Sequence, residues 1–246
     1  MIELLREYLE EKGFDKFDLK AIIFDMDGVL YDSMPDHDTS WKKTMDDFDL
    51  KYESNEFYMQ EGRLGTSTIN AIVRRNLQRD ATKEELESIY TKKSELFREY
   101  NNGAILPGAK ETLAYVKQKG LTPVLVTGSG QPSLLDRLDI PFPGIFTPDT
   151  MVTAFNVEKG KPHPEPFLKG LEKGGNLKPN QSIVIENAPL GVEAAVGAGI
   201  FTIAVNTGPL DDEVLLNAGA AIVFDSMETI SEKLPDIIQL AQSIRL

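Results

Sequence analysis

The sequence predicts an α/β fold: a doubly wound parallel sheet in three layers, interrupted near its start by an all-helical insertion. Three observations carry this prediction. Short apolar runs alternate with helical patterns along most of the chain. The runs are apolar throughout rather than alternating, as strands covered on both faces are. One long stretch, 36–103, carries helical patterns and no convincing strand. The 246 residues suffice for one large domain or two sharing a chain.

Residues 1–19 form an N-terminal helical extension. Ile2, Leu5 and Leu9, with Leu4 and Tyr8, recur at helical spacing, Glu3, Arg6, Glu7 and Glu10 fill the other face, and Gly13 stops the helix. The extension packs on the body or, less simply, offers a face to a partner. The sheet runs are Ala21–Phe24, Val124–Val126, Ile183–Ile185, Thr202–Val205 and Ala221–Phe224. Helices are expected over 108–119, 132–138, 164–173, 189–198 and 211–218, most of them followed by the glycine that favours a left-handed helix exit. In the insertion, 67–79 and 83–99 carry the helical period, and Thr82 with Glu85 makes a capping box. Pro35 bounds the insertion on one side, and Gly103, Pro107 and Gly108 on the other. The α/β core therefore comprises 20–35 and 104–246, with 36–103 as a separate helical unit.

Composition excludes several mechanisms. With no Cys there is no disulfide, thiolate nucleophile or thiolate–metal site, and two His cannot build a three-His zinc site. Against 39 Asp and Glu stand 26 Lys and Arg, a net charge of −13, which argues against a nucleic-acid surface. Charges scattered through 1–18 leave no secretory apolar segment, and no run approaches the roughly 20 apolar residues of a membrane span. A cytoplasmic protein without nucleic-acid or membrane partners is the expectation.

Three strands end in polar residues. Ile22-Ile23-Phe24 runs into Asp25-Met26-Asp27-Gly28, Val124-Leu125-Val126 into Thr127-Gly128-Ser129-Gly130, and Ile183-Val184-Ile185 into Glu186-Asn187. Ligands of parallel α/β sheets sit at the carboxyl ends of strands, so these groups should converge in one crevice. Gly160-Lys161-Pro162 adds a cation on a stiff loop. Carboxylates, a hydroxyl, glycine-rich backbone and one lysine suit a divalent cation together with phosphate. Asp25-x-Asp27-Gly28 lacks the spacing of a calcium loop, Gly128-x-Gly130 lacks the third glycine of a dinucleotide fingerprint, and Pro162 after Lys161 removes a P-loop. Taken singly, Asp25-Met26-Asp27-Gly28 is also an ordinary turn after a strand; it is the four segments together that point to chemistry.

Those four segments, in that order, resemble the haloacid dehalogenase-like superfamily of phosphotransferases. The likeness covers nearly the whole chain from about residue 20 and extends through Glu186-Asn187-Ala188-Pro189-Leu190-Gly191. The helical insertion, with His37 and Trp41 at its start, resembles the cap of the β-phosphoglucomutase-like branch. The resemblance implies that Asp25 is a nucleophile that becomes an aspartyl-phosphate, and that Asp27 protonates the leaving group and then activates water. It implies Mg²⁺ held by Asp25, the Asp27 carbonyl and the Glu186/Asn187 pair, with Thr127 and Lys161 on the transferring phosphoryl group. It also implies a monomer acting on a small phosphorylated substrate. The physics agrees: a carboxylate attacking an anionic phosphate meets repulsion of about 4 kcal/mol per charge pair at ~4 Å, which a dication and Lys161 reverse.

Asn187 stands where the branch carries Asp, removing one negative charge from the metal site. A replacement lies in the cap segment Gln60-Glu61-Gly62-Arg63-Leu64-Gly65, where the sugar-phosphate mutases resembled place Lys at the Glu61 position. Glu61 either completes the metal site when the cap closes or is a solvated carboxylate. Glu61-Gly62-Arg63, Asn187 and the Asn206-Thr207-Gly208-Pro209-Leu210 turn resemble the inorganic-pyrophosphatase offshoot of the branch, so pyrophosphate is expected ahead of a sugar phosphate. Arg63, Lys92 and Lys93 are either contacts to the distal phosphate or plain surface charges. His37 orients Asp27 or the hinge, or caps a helix; His163 is structural; Gly128, Ser129 and Gln131 line the pocket rim. A phosphate-binding protein without catalysis is the remaining alternative.

Overall fold

A computed structural model describes residues 1–130 and 138–246. The expected helix at 132–138 lies almost wholly outside the described residues. In chain order the elements are α1 (Ile2–Lys12), β1 (Ala21–Phe24), α2 (Met34–Asp47), α3 (Glu56–Met59), α4 (Gly65–Leu77), α5 (Lys83–Tyr100), α6 (Ala109–Gln118), β2 (Thr122–Val126) and β3 (Met151–Val152). They continue with α7 (Glu165–Lys173), β4 (Ser182–Glu186), α8 (Pro189–Gly197), β5 (Phe201–Val205), α9 (Asp212–Asn217), β6 (Ile222–Phe224) and α10 (Met227–Ser243).

The strands form one parallel six-stranded sheet in the order β3-β2-β1-β4-β5-β6. The chain first winds outward from β1 through β2 to β3, then returns to the other side of β1 for β4, β5 and β6. This reversal opens a crevice at the carboxyl ends beside β1. Successive side chains on a strand face opposite ways. Ile22, Phe24, Leu125, Ile185 and Ile203 therefore pack on one face, with Leu113 and Val116 of α6, Ile230 and Leu234 of α10, and Leu5 and Leu9 of the extension. Ala21, Ile23, Val124, Val126 and Val184 pack on the other, with Phe167 and Leu171 of α7 and Ala194 and Ala195 of α8.

Outside the insertion, two elements escaped the sequence reading. β3 is two residues long, too short for any periodicity, and the run expected at 124–126 extends back through Pro123 to Thr122. Proline is tolerated there because its missing N–H faces the β3 side of β2, where pairing begins only at Leu125. The second is α10, which carries Pro235 in its interior, a residue that reads as a helix breaker. Met227, Ile230, Leu234, Ile237, Ile238 and Ala241 nonetheless form one buried stripe on it.

The insertion is helical throughout and has its own core of Trp41, Met45, Phe57, Ile69, Ile72, Val73 and Ile89. The Thr82–Glu85 capping box is present at the start of α5, both of its hydrogen bonds made. Among the described residues no helix is long and apolar enough to cross a membrane.

Candidate active site

β1 lies between β2 and β4, with Phe24 paired to both Leu125 and Ile185. The residues that follow these strands, Asp25, Thr127 and Asn187, therefore emerge side by side with Glu186, the last residue of β4. Lys161, 1% exposed, reaches in from the loop before α7. Its Nζ donates to Asp25 Oδ1 (2.5 Å), Glu186 Oε1 (2.5 Å) and the Val126 carbonyl (3.3 Å). Burial pulls the Lys161 amine down, but Asp25 and Glu186 together hold it above the ordinary lysine value, so it keeps its charge.

Glu186 Oε2 accepts the N–H groups of Asn187 (2.6 Å) and Ala188 (2.8 Å), so both of its oxygens are engaged. It fixes Lys161 and the following turn. Gly191 makes room for it in the first turn of α8, where a Cβ would stand 1.7 Å from Glu186 Oε1. Burial pushes the Asp25 carboxyl up to about 8, with Glu186 and Asp27 adding to the effect and Lys161 opposing it. Thr127 is buried, and its Oγ1 accepts the Ser129 N–H (2.9 Å), which leaves the hydroxyl hydrogen for a phosphoryl oxygen.

Among the described residues, Asp25 Oδ2 and Asn187 Oδ1 remain without a donor in this crevice, both buried. Buried oxygens with nothing to accept from are what a hard divalent cation takes as ligands. The residues therefore fit Mg²⁺ through Asp25 and Asn187, with Glu186 supporting from behind Lys161. Among the described residues no three His, Asp or Glu side chains are gathered as a ready metal cage, so the fit depends on an amide oxygen and backbone as well.

Asp27 is as deeply buried as Asp25. Its Oδ1 accepts from Ser33 Oγ (2.5 Å) and from His37 Nε2 (3.3 Å), while Lys93 Nζ lies 2.6 Å from His37 Nδ1. An ammonium only donates, so Nδ1 is the acceptor and Nε2 carries the hydrogen toward Asp27. His37 is thus a positioning group for Asp27 rather than a helix cap, and Phe97 stacks on its ring at 4.0 Å. Burial alone would raise the Asp27 carboxyl, but His37, Ser33 and Lys93 hold it below the usual carboxylate value. Burial pushes Lys93 down to about 8, against the attraction of Asp27 and Glu61. Lys93 therefore carries its charge below that pH and loses it above. An alkaline limb near pH 8 in kcat/KM is expected, and Lys93→Arg should move it out of range, because a guanidinium does not titrate there; a limb unchanged in Lys93→Arg counts against this assignment.

The cap is closed on the core. A Cβ at Gly62 would lie 2.6 Å from Lys161 Cδ, and one at Gly128 would lie 2.5 Å from the Gly62 carbonyl oxygen, so backbone meets backbone over the crevice. Gly62 also has φ of +79°, a conformation suited to glycine. This seat carries Glu61 inward. Burial raises its carboxyl well above the usual value, and the charges of Asp27 and Asp25 raise it further. What remains between cap and core is a cavity of about 50 Å³ lined by Asp27, His37, Gln60, Arg63, Lys93 and Ser129 among others.

The strand-end groups and Lys161 thus lie together, with His37, Glu61, Arg63, Gly128 and Ser129 around them; Gln131 lies outside the described residues. Lys93 is no surface charge. It sits at a core position of the Ile89, Lys93, Leu96, Phe97 stripe on α5, a signal available in the periodicity. Lys92 does remain at the surface, paired with Asp47 (3.0 Å). Ser33 had no motif to announce it, and Gln60 opened the cap segment singled out for Glu61 without a role of its own. Thr207, from the Asn206–Leu210 turn, donates to the Gly28 carbonyl (2.7 Å) and braces the Asp25–Gly28 loop.

A buried carboxylate held by lysine, a second carboxylate tied to His and Ser, and a helical cap seated over both are an arrangement suited to phosphoryl transfer. The chain belongs to the haloacid dehalogenase-like hydrolases, whose family profile matches residues 19–199. It is similar to the phosphorylated carbohydrates phosphatase of Thermotoga maritima, 30% identical over 87% of this chain and 97% of that protein. It is also similar to hexitol phosphatase A of Escherichia coli, 29% identical over 86% and 93%. A solved structure from Bacteroides vulgatus, assigned as a beta-phosphoglucomutase, is 52% identical and superposes with a TM-score of 0.94 over 98% of both chains. The chain is accordingly a phosphatase of this family, in its β-phosphoglucomutase-like branch.

Proposed function

We propose that this chain hydrolyses inorganic pyrophosphate, through an aspartyl-phosphate on Asp25. The observation that carries the reading is the small free volume and the charged lining of the pocket beyond Asp27. At about 50 Å³ it offers room for roughly three to five water positions, close to one phosphate group and well short of a hexose. Lys93 and Arg63 supply positive charge on the cap side, where a second phosphate would sit.

In this reading the Asp25 carboxylate attacks phosphorus and the bond to the leaving phosphate breaks. Thr127 and Lys161 hold the oxygens of the phosphoryl group in flight. Asp27, aimed by Ser33 and His37 and held ionised by them, takes a proton from the water that hydrolyses the aspartyl-phosphate, and the leaving phosphate departs as an anion that needs no proton from it. Phosphate leaves more readily than a sugar alkoxide, so the first step depends less on Asp27 than it would in a sugar phosphatase. Asp25, the Asp27 carbonyl, Asn187 and Glu61 would hold Mg²⁺, which when bound supplies the positive charge that offsets this carboxylate cluster and the phosphoryl oxygens.

The relatives favour a second reading, a small sugar-phosphate phosphatase or phosphoglucomutase. Phosphate release with Mg²⁺ from pyrophosphate, β-glucose 1-phosphate, hexose 6-phosphates and nucleotides separates the two. Pyrophosphate should give the highest kcat/KM; turnover dominated by a hexose phosphate overturns the proposal, and no turnover of any substrate points to binding without catalysis.

A further inference from the structure

Away from the strand ends, the cap holds an ion pair between a buried glutamate and an exposed arginine that phosphoryl transfer does not use. Glu56, 5% exposed on α3, accepts Arg75 Nη1 on Oε1 (2.8 Å) and Arg75 Nη2 on Oε2 (2.7 Å), and Oε2 also takes the Glu53 N–H (2.8 Å). Oε1 accepts one more hydrogen bond, from Gln60 Nε2 (2.7 Å). A carboxylate that already holds an arginine only accepts, so the amide must turn its NH₂ toward it; the reverse orientation would set two oxygens face to face. Gln60 Oε1 is thereby fixed as an acceptor. It is buried and has no donor, on a residue that lines the cavity beyond Asp27.

We propose that Gln60 is a specificity-determining residue that accepts a hydrogen bond from a hydroxyl of the leaving group. The donor is an O–H, whether the P–OH of hydrogen pyrophosphate or the C–OH of a phosphorylated alcohol. This rests on the reading that the cavity beyond Asp27 receives the leaving group, and not on that group being phosphate. Arg63 and Lys93 donate, and so attract any anionic or oxygen-rich group without distinguishing them. Gln60 does the opposite. It repels an unprotonated phosphate oxygen and is left unpaired by an alkyl group, and a buried acceptor left unpaired is costly. Glu56 and Arg75 act through it as positioning residues, since they hold the amide in its one useful orientation.

The test compares 2-hydroxyethyl phosphate with ethyl phosphate, two compact esters that differ by one hydroxyl. It uses the full chain with Mg²⁺ in the wild type, Gln60→Met and Gln60→Asn. The wild type should favour the hydroxy ester in kcat/KM by about tenfold, the size expected of one buried hydrogen bond. Both variants should bring the ratio within about twofold, with melting curves confirming that they fold. Where turnover is too slow to time, the same ratio is read from the esters as competitive inhibitors. A wild type without preference, or a preference that survives in both variants, overturns the proposal. A parallel loss of about tenfold with pyrophosphate in Gln60→Met identifies P–OH as a donor, while a loss confined to the hydroxy ester identifies the alcohol. Failure to hydrolyse pyrophosphate with the ester discrimination intact removes only the pyrophosphate reading.

Discussion

Asp25→Asn is expected to abolish turnover, a fall of 10⁴-fold or more, while leaving the fold intact. The amide keeps an oxygen in place for Lys161 Nζ but cannot form the acyl-phosphate bond. Stability should move the other way. A carboxyl raised by burial from its usual value to about 8 is one whose ionised form the folded state disfavours. For an acid with a raised folded pKa, that cost is absent below the unfolded value near ~3.9 and fully present above about 8. At pH 7.5 without Mg²⁺ the Asn variant should therefore melt at or above the wild-type temperature. Mass spectrometry of enzyme quenched during turnover should find one added phosphoryl group on the Asp25 peptide of the wild type and none in the variant. Retained turnover, or a phosphoryl group on another residue, contradicts the role given to Asp25.

The pocket was legible in the sequence because its groups follow strands. A strand buried on both faces must be apolar from end to end, so the first polar residue after it stands out, and in a parallel sheet that residue lies at the crevice. Asp25, Thr127, Glu186 and Asn187 were visible for this reason. What was not legible depends on contacts between distant segments. Glu56 and Arg75 are 19 residues apart on different helices, and only the packing of α3 against α4 turns them into a pair that fixes Gln60. Lys93 was half legible. The helical period places it inward, but a lysine at a core position reads as a surface charge until His37 and two aromatic rings, those of Trp41 and Phe97, are found around it. Glu186 shows a different limit: sequence order placed it beside the metal, and only the hydrogen bonds show both oxygens committed to Lys161 and the turn.

Glu61→Gln carries the second large expected effect, a loss of Mg²⁺ affinity of about 10–100-fold, with turnover falling alongside it. The closed cap brings Glu61 within electrostatic reach of Asp25, Asp27 and Glu186, with the ammonium of Lys161 opposing their charge and Lys93 also attracted to Glu61. Burial raises the Glu61 carboxyl most, and without a dication the neighbouring carboxylates raise it further. Asn187 makes the need for Glu61 sharper, because an amide brings an oxygen but no charge to the metal. Removing the charge at Glu61 should therefore act with opposite signs in the two states. Metal-free Gln variant should melt higher than metal-free wild type, since a repulsive carboxylate has gone, and it should gain less from added Mg²⁺. The pH dependence follows. Wild-type affinity should strengthen as pH rises and protons leave the carboxyls, and the Gln variant should show a shallower slope. Calorimetric titration of Mg²⁺ at pH 5.5 and 7.5, with melts at both, reads all three quantities. A solvated surface glutamate would change none of them, and equal affinity in the two proteins would remove Glu61 from the metal site.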